Sequence, residues 1–259
     1  MPKILVKTNF NPIVVAITVA TNSPQKICVV AFDATQTTTV FTDMAKTVEG
    51  KHTFHVRMPQ CGKETEILVY NSNVGIVADG ADKTFSIVSV TKERLSDKIN
   101  QWLELTYHDR EFIMFAQQFA YNARIMDSGV YKSKNGNFTI EYLDKITDEN
   151  GKEIPTSFRV STTDGTIQAS RQKIRNYTLP ILLFLLLHEY SHFYKNDDID
   201  NELEADLNAL QIYLGLDYPS ADVVWGLAIT FEGNKTKENE QRWETCIRFI
   251  DDHNNENLK

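Results

Sequence analysis

Nine consecutive apolar residues, Leu179 to Leu187, end abruptly in His188-Glu189-Tyr190-Ser191-His192. The run is less than half of the ~20 residues that a helix needs to span a bilayer, so it reads as a core helix whose C-terminal turn carries ionisable groups. Thr178 is a candidate N-cap, and Pro180 falls in the first turn, where its missing N–H is harmless. Residues four apart on a helix lie one turn above each other. His188 and His192 can therefore aim two imidazole nitrogens at one point, with Glu189 on the adjoining face. Two histidines and a neighbouring carboxylate in that register suit a catalytic zinc ion.

Without partners, such groups would be costly at the end of so apolar a helix. Partners follow directly. Asn196–Asp200 breaks the helix, and a second one is expected over about Asn201–Leu214. Three carboxylates in the break and this second helix compete to be the third ligand. Glu202 has Asp206 four residues on, on the same face, where the aspartate can hydrogen-bond the outer nitrogen of a ligand histidine and fix its tautomer. Glu204 points about 200° around the helix from Glu202, so the two cannot both face one ion. Asp198 is the remaining candidate, also readable as a cap or loop residue. Glu202 is favoured because Asp206 supports it alone.

The segments His188–His192 and Asn201-Glu202-x-x-Ala205-Asp206 resemble the HExxH and NExxSD or ExxAD motifs of the gluzincin metallopeptidases. Asp198 stands at the last ligand position of the alternative metzincin pattern. Lys195 occupies the place of its turn glycine, however, and no methionine follows Met126 to make a Met-turn. The resemblance covers the two helical motifs closely, the strands before them loosely, and the first 92 residues not at all. It implies a zincin-like fold and zinc-dependent hydrolysis of peptide bonds. His188, His192 and Glu202 would hold Zn²⁺, Asp206 would orient a histidine, and Glu189 would act as general base. Tyr194 and Tyr218 are candidate oxyanion donors, whereas Tyr213 lies about 16 Å along the helix from Glu202. Phe158, Arg159 and Val160 alternate like a half-exposed strand. In gluzincins an edge strand beside the active-site helix aligns the substrate backbone, which suggests the same role for these three residues.

The remainder is read as α+β. Residues 1–92 carry the candidate strands Ile4–Phe10, Ile13–Ala20, Lys26–Phe32, Thr37–Phe41, His52–Met58, Glu66–Tyr70 and Thr84–Val90, spaced as in a β-sandwich. Ile13–Ala20 follows Lys3 and Lys7 and has the look of a short export signal, but its β-branched residues favour a buried strand. His52 and His55 are three apart on a strand and so point to opposite faces. From Glu93 a helical period takes over through Leu95, Ile99, Trp102, Phe112, Phe115 and Phe119, to about Asp127. Strands Phe138–Leu143, Ser157–Ser161 and Thr166–Ala169 precede the motif helix, and helices Ser220–Phe231 and about Thr236–Asp252 close the chain. Residues 93–259 are thus the expected metallopeptidase-like domain.

With a net charge of -8, nucleic acid and anionic membrane are poor partners. Cys28, Cys61 and Cys246 form no CxxC pair, which fits free thiols in a reducing, cytoplasmic setting. The partner expected is a protein or peptide substrate. The alternative is a phage virion or other assembly component, docked through the β-rich residues 1–92, with the metallopeptidase-like part structural or used in maturation. Short peptidase-like chains of this kind occur in phage and bacterial genomes.

Overall fold

The computed structural model describes residues 3–77, 82–95, 103–231 and 236–257. The chain is mixed α+β and divides into two compact units, Met1–Lys98 and Ile99–Lys259.

The first unit is a five-stranded antiparallel sheet of β1 (Lys3–Lys7), β2 (Ile13–Asp33), β3 (Val40–Met58), β4 (Glu64–Asn71) and β5 (Phe85–Arg94). Its core lies on one face, where Val15, Ile17, Val19, Val29, Ala31, Val56, Ile67 and Val69 are fully buried. The expected sandwich of two sheets is a single hydrogen-bonded sheet. The reason is that Ile13–Ala20 and Lys26–Phe32 are halves of one strand. The exposed Asn22-Ser23-Pro24 segment, read as a turn, lies in a bulge between Thr21 and Gln25, opposite Gly50 at φ 74°. A bulge tolerates the missing proline N–H, and glycine accepts the positive φ without strain. The Thr37 end of the next expected strand is corrected as well. Asp33 accepts from the Thr35 and Gln36 amides and the Thr35 hydroxyl, and this turn delays β3 to Val40. His52 and His55 both lie on β3, where they pair with Val19 and Ala16.

The helical period expected from Glu93 begins later. Glu93 and Arg94 extend β5 by pairing with Val14 and Ile13, while Ile99 and Trp102 fall outside the described residues. The first helix, α1, spans Tyr107–Asn122, opened by a capping box between Thr106 and Asp109. It is followed by β6 (Gly129–Lys132), which the sequence reading missed, then by β7 (Thr139–Leu143), β8 (Phe158–Val160) and β9 (Ile167–Ser170). These make a four-stranded sheet in the order β6-β7-β9-β8, with β7 and β9 parallel and the other pairs antiparallel. The short helix α2 (Arg171–Ile174) leads into α3 (Leu179–Tyr194), α4 (Glu202–Gly215), α5 (Ser220–Phe231) and α6 (Lys237–Asn257).

Helix α3 is the axis of this unit. Leu179 to His188 are all buried, and α3 packs on α1, α4, α5 and the β8–β9 edge. Each enclosed leucine contributes about 1.5–3 kcal/mol, so the apolar run holds the motif in place. Thr178 is the N-cap by position, but its hydroxyl donates to Asp222 instead of capping α3. Among the described residues no helix is long and apolar enough to cross a membrane.

Candidate metal centre

The last two turns of α3 and the first two of α4 meet around a small polar point. His188 and His192 are buried, and Glu202 at the start of α4 reaches them from the solvent side with its side chain 46% exposed. One ligand atom from each lies within 4.8 Å of the others, so the three residues form a group that can hold a metal ion. Local capping makes this meeting possible. Lys195 ends α3, and Asn201 caps α4 by accepting from the Glu204 amide. The competing ligands are turned elsewhere. Glu204 accepts from the Asp197 amide, and Asp198 accepts from the Asp200 amide within the turn.

The outer nitrogens of both imidazoles are committed. His188 Nδ1 lies 2.9 Å from Asp206 Oδ1, and His192 Nδ1 lies 2.7 Å from the Ile199 carbonyl oxygen. Because both partners are acceptors, each Nδ1 carries the proton, and in the neutral rings both Nε2 atoms expose lone pairs. Those two atoms face each other at 3.1 Å. Two lone pairs at that separation repel, so the arrangement calls for a shared proton or a cation.

Without metal, the proton supplies the answer. Burial by itself would lower the His188 pKa, but its hydrogen bonds to Asp206 and Glu202 outweigh that and raise it to about 10. Glu202 is held down to about 2, chiefly by His188 and against the effect of its own burial, with help from Arg242. The donor set fits a divalent ion. Two imidazoles and one carboxylate converge on one point, and an ion bound there would take the place of the proton.

Glu189 stands beside this point. Its Oε2 accepts from the Val160 backbone N–H at 2.8 Å. Burial pushes its carboxyl pKa upward, opposed by His188, His192 and that N–H. Strand β8 is an edge of the sheet. Ser161 N–H and Ser157 C=O bond toward β9, so by antiparallel alternation the Val160 polar groups point away from the sheet.

Of the three strand residues singled out from sequence, only Val160 reaches the centre, through its backbone. Phe158 is a core residue. Arg159 lies on the opposite sheet face, because it pairs with Gln168 in register and its guanidinium donates to that residue's Oε1. The two tyrosines are also corrected. Tyr194 stacks on Tyr190 and packs against His108 and Phe138, on the side of α3 away from the histidines. Tyr218 is buried against Tyr213 and accepts from Gln117.

The sequence reading missed Arg242 of α6 altogether. This buried guanidinium donates from Nε to Asp206 Oδ2 at 2.9 Å, and its Nη2 lies 2.9 Å from Glu202 Oε2. No local pattern marks one arginine on an amphipathic helix as a partner of residues so distant in sequence. One turn beyond it, burial raises the Cys246 thiol to about 12, so that sulfur stays protonated in the metal-free protein. All three cysteines are free and buried.

The far side of α3 is tied down by a second polar cluster. Tyr190 donates to Asp109 Oδ1 at 2.6 Å, and Lys195 Nζ lies 3.2 Å from the same carboxylate. This explains the lysine at 195, which anchors the end of α3 to the capped start of α1.

Comparisons with protein-family models, with curated proteins and with solved structures find no match to this chain.

Proposed function

We propose that the chain is a zinc-dependent metallopeptidase. The observation that carries this reading is the joint placement of three features: two Nε2 atoms facing each other at 3.1 Å, Glu202 beside them, and Glu189 held by the edge-strand amide of Val160. Two imidazoles and one carboxylate suit zinc among common divalent ions, with a position left for water or substrate. Zinc bound there would acidify a water molecule and polarise a substrate carbonyl.

The protein's own residues then have distinct tasks. His188 and His192 present Nε2 lone pairs, their tautomers fixed by Asp206 and the Ile199 carbonyl. Glu189, with its carboxyl pKa raised by burial, takes a proton from the attacking water and delivers it to the leaving amine. The Val160 N–H fixes the direction from which Glu189 approaches. On the outward edge of β8 the Val160 N–H is taken by Glu189 and the Phe158 carbonyl by the Thr156 hydroxyl. An extended peptide added as a strand would therefore pair with the Val160 carbonyl and the Phe158 N–H.

The test is zinc content by elemental analysis together with hydrolysis of a peptide library, for wild type and Glu189→Gln. About one zinc per chain in both proteins, with cleavage only in wild type, is the expected result. Bound zinc with no cleavage by either protein would reassign the site to a structural role. Absence of zinc from fully folded protein would end the metal reading.

A further inference from the structure

We propose that Arg242 is a positioning residue of the metal centre, a guanidinium brace that holds Glu202 in a one-oxygen binding mode and locks Asp206 against His188. The inference rests on the metal-binding reading above and assigns a specific task to α6 within it.

Asp206 is engaged at both oxygens. Oδ1 meets His188 Nδ1 at 2.9 Å, and Oδ2 accepts from Arg242 Nε at 2.9 Å. The aspartate therefore cannot turn without breaking a contact that orients the ligand histidine. Arg242 Nη2 lies 2.8 Å from Asp206 Oδ2 and 2.9 Å from Glu202 Oε2. It sits at ion-pair distance from both carboxylates, yet it is a buried donor without an aligned hydrogen-bond acceptor. Both Glu202 oxygens approach the imidazoles, Oε2 at 3.5 Å from His188 Nε2 and Oε1 at 3.8 Å from His192 Nε2. Oε2 also lies beside the guanidinium, so Oε1 is the oxygen that Arg242 leaves open to an ion.

The brace is itself fixed. Arg242 lies over the Phe231 ring, 4.9 Å from its centroid, and Nη1 donates to Asn239 Oδ1 at 3.3 Å. A planar guanidinium gripped at its face and both edges is well ordered, whereas a lysine offers a single mobile point charge. Charge balance points the same way. Glu189, Glu202 and Asp206 converge on the two histidines, and a divalent ion leaves one of the three negative charges unmatched unless Arg242 is present.

Two opposite effects follow from removing the guanidinium. Losing a nearby cation would strengthen attraction for a metal ion, and losing the brace would free a half-exposed glutamate and its supporting aspartate. Arg242→Lys separates them, since it keeps the charge and removes the fork. Zinc affinity is measured by chelator competition, and Co²⁺ is substituted to read coordination from its visible absorption bands.

The expected result for Arg242→Lys is ~10- to 100-fold weaker zinc binding. Its Co²⁺ bands should also weaken, as Glu202 becomes free to bind through both oxygens and raise the coordination number. A role in folding alone would not change that spectrum in a folded variant. Metal-free circular dichroism is recorded first, and if Arg242→Lys does not fold, Arg242→Gln is read by its Co²⁺ bands alone, with the same two outcomes, because it also removes the charge and so shifts zinc affinity in the opposite direction. A folded variant with wild-type zinc affinity and wild-type Co²⁺ bands overturns the brace while leaving the metal site intact. A wild-type protein that binds neither ion overturns both.

Discussion

The Nε2 atoms of His188 and His192 face each other at 3.1 Å, while the Nδ1 of each ring is already committed to an acceptor. The pair therefore holds either a proton or a cation, and the two compete.

Metal binding should release that proton. With His188 raised to about 10, the metal-free site is protonated at pH 8, and about one proton per ion must leave as zinc enters. Titration calorimetry at pH 8 in buffers of different ionisation enthalpy measures this number. Heats independent of the buffer would contradict it.

The same shifts set a pH dependence for the metal-free protein. A histidine raised from 6.5 to about 10 adds stability that is complete below about pH 6.5 and lost as pH rises through 10. Glu202, lowered from 4.5 to about 2, adds stability above about pH 4.5 that is lost as pH falls towards 2, reduced by solvent screening of its exposed side chain. Melting temperatures of metal-free protein should thus fall on the alkaline side of neutrality, and this loss should be absent in His188→Gln. An equal alkaline loss in both proteins would locate the cause elsewhere.

Asp206→Asn removes the charge that orients His188 and leaves buried Arg242 with Glu202 as its carboxylate partner. Zinc affinity should fall ~10- to 100-fold. Asp206→Ala should in addition cost about 3–5 kcal/mol of folding stability, because one partner of a buried ion pair is lost. Chelator competition and urea unfolding check the two effects separately.

Val160→Pro deletes the N–H that holds Glu189. That N–H points away from β9, so an edge proline costs the sheet no ladder bond. Peptide cleavage should drop ~10- to 100-fold through loss of a charge-assisted hydrogen bond, with zinc stoichiometry unchanged. Unchanged cleavage would remove β8 from the proposed mechanism.

Gly165 joins β8 to β9 at φ 70°, and an added Cβ would lie 2.8 Å from both a Phe193 ring carbon and the Tyr194 hydroxyl. Gly165→Ala should therefore destabilise by about 1–3 kcal/mol and shift the edge strand relative to Glu189. Thermal unfolding and the cleavage rate report the two consequences.

What could be read from sequence follows from the range of the interactions involved. The i, i+4 spacings of His188 with His192 and of Glu202 with Asp206 are backbone geometry, and the structure brings those four residues together. Helix α5 has the bounds expected of it, Ser220–Phe231, because its apolar period and flanking breakers are local signals. Strand β6 was missed because four residues paired with β7 carry too little pattern to stand out. The break at Asn22-Ser23-Pro24 was read as a turn, since only a partner strand can carry a chain through a bulge.

The sequence by itself determined the donors. Histidine, histidine, glutamate and aspartate at helical spacing, behind an apolar run that must be buried, specify which side chains can meet an ion. Tertiary structure decided what surrounds them. Arg242 arrives from α6, the Val160 amide from the edge of β8, and Lys195 turns to Asp109 on α1. Each of these contacts joins residues far apart in the chain. Their geometry depends on how whole elements pack, which no local periodicity encodes.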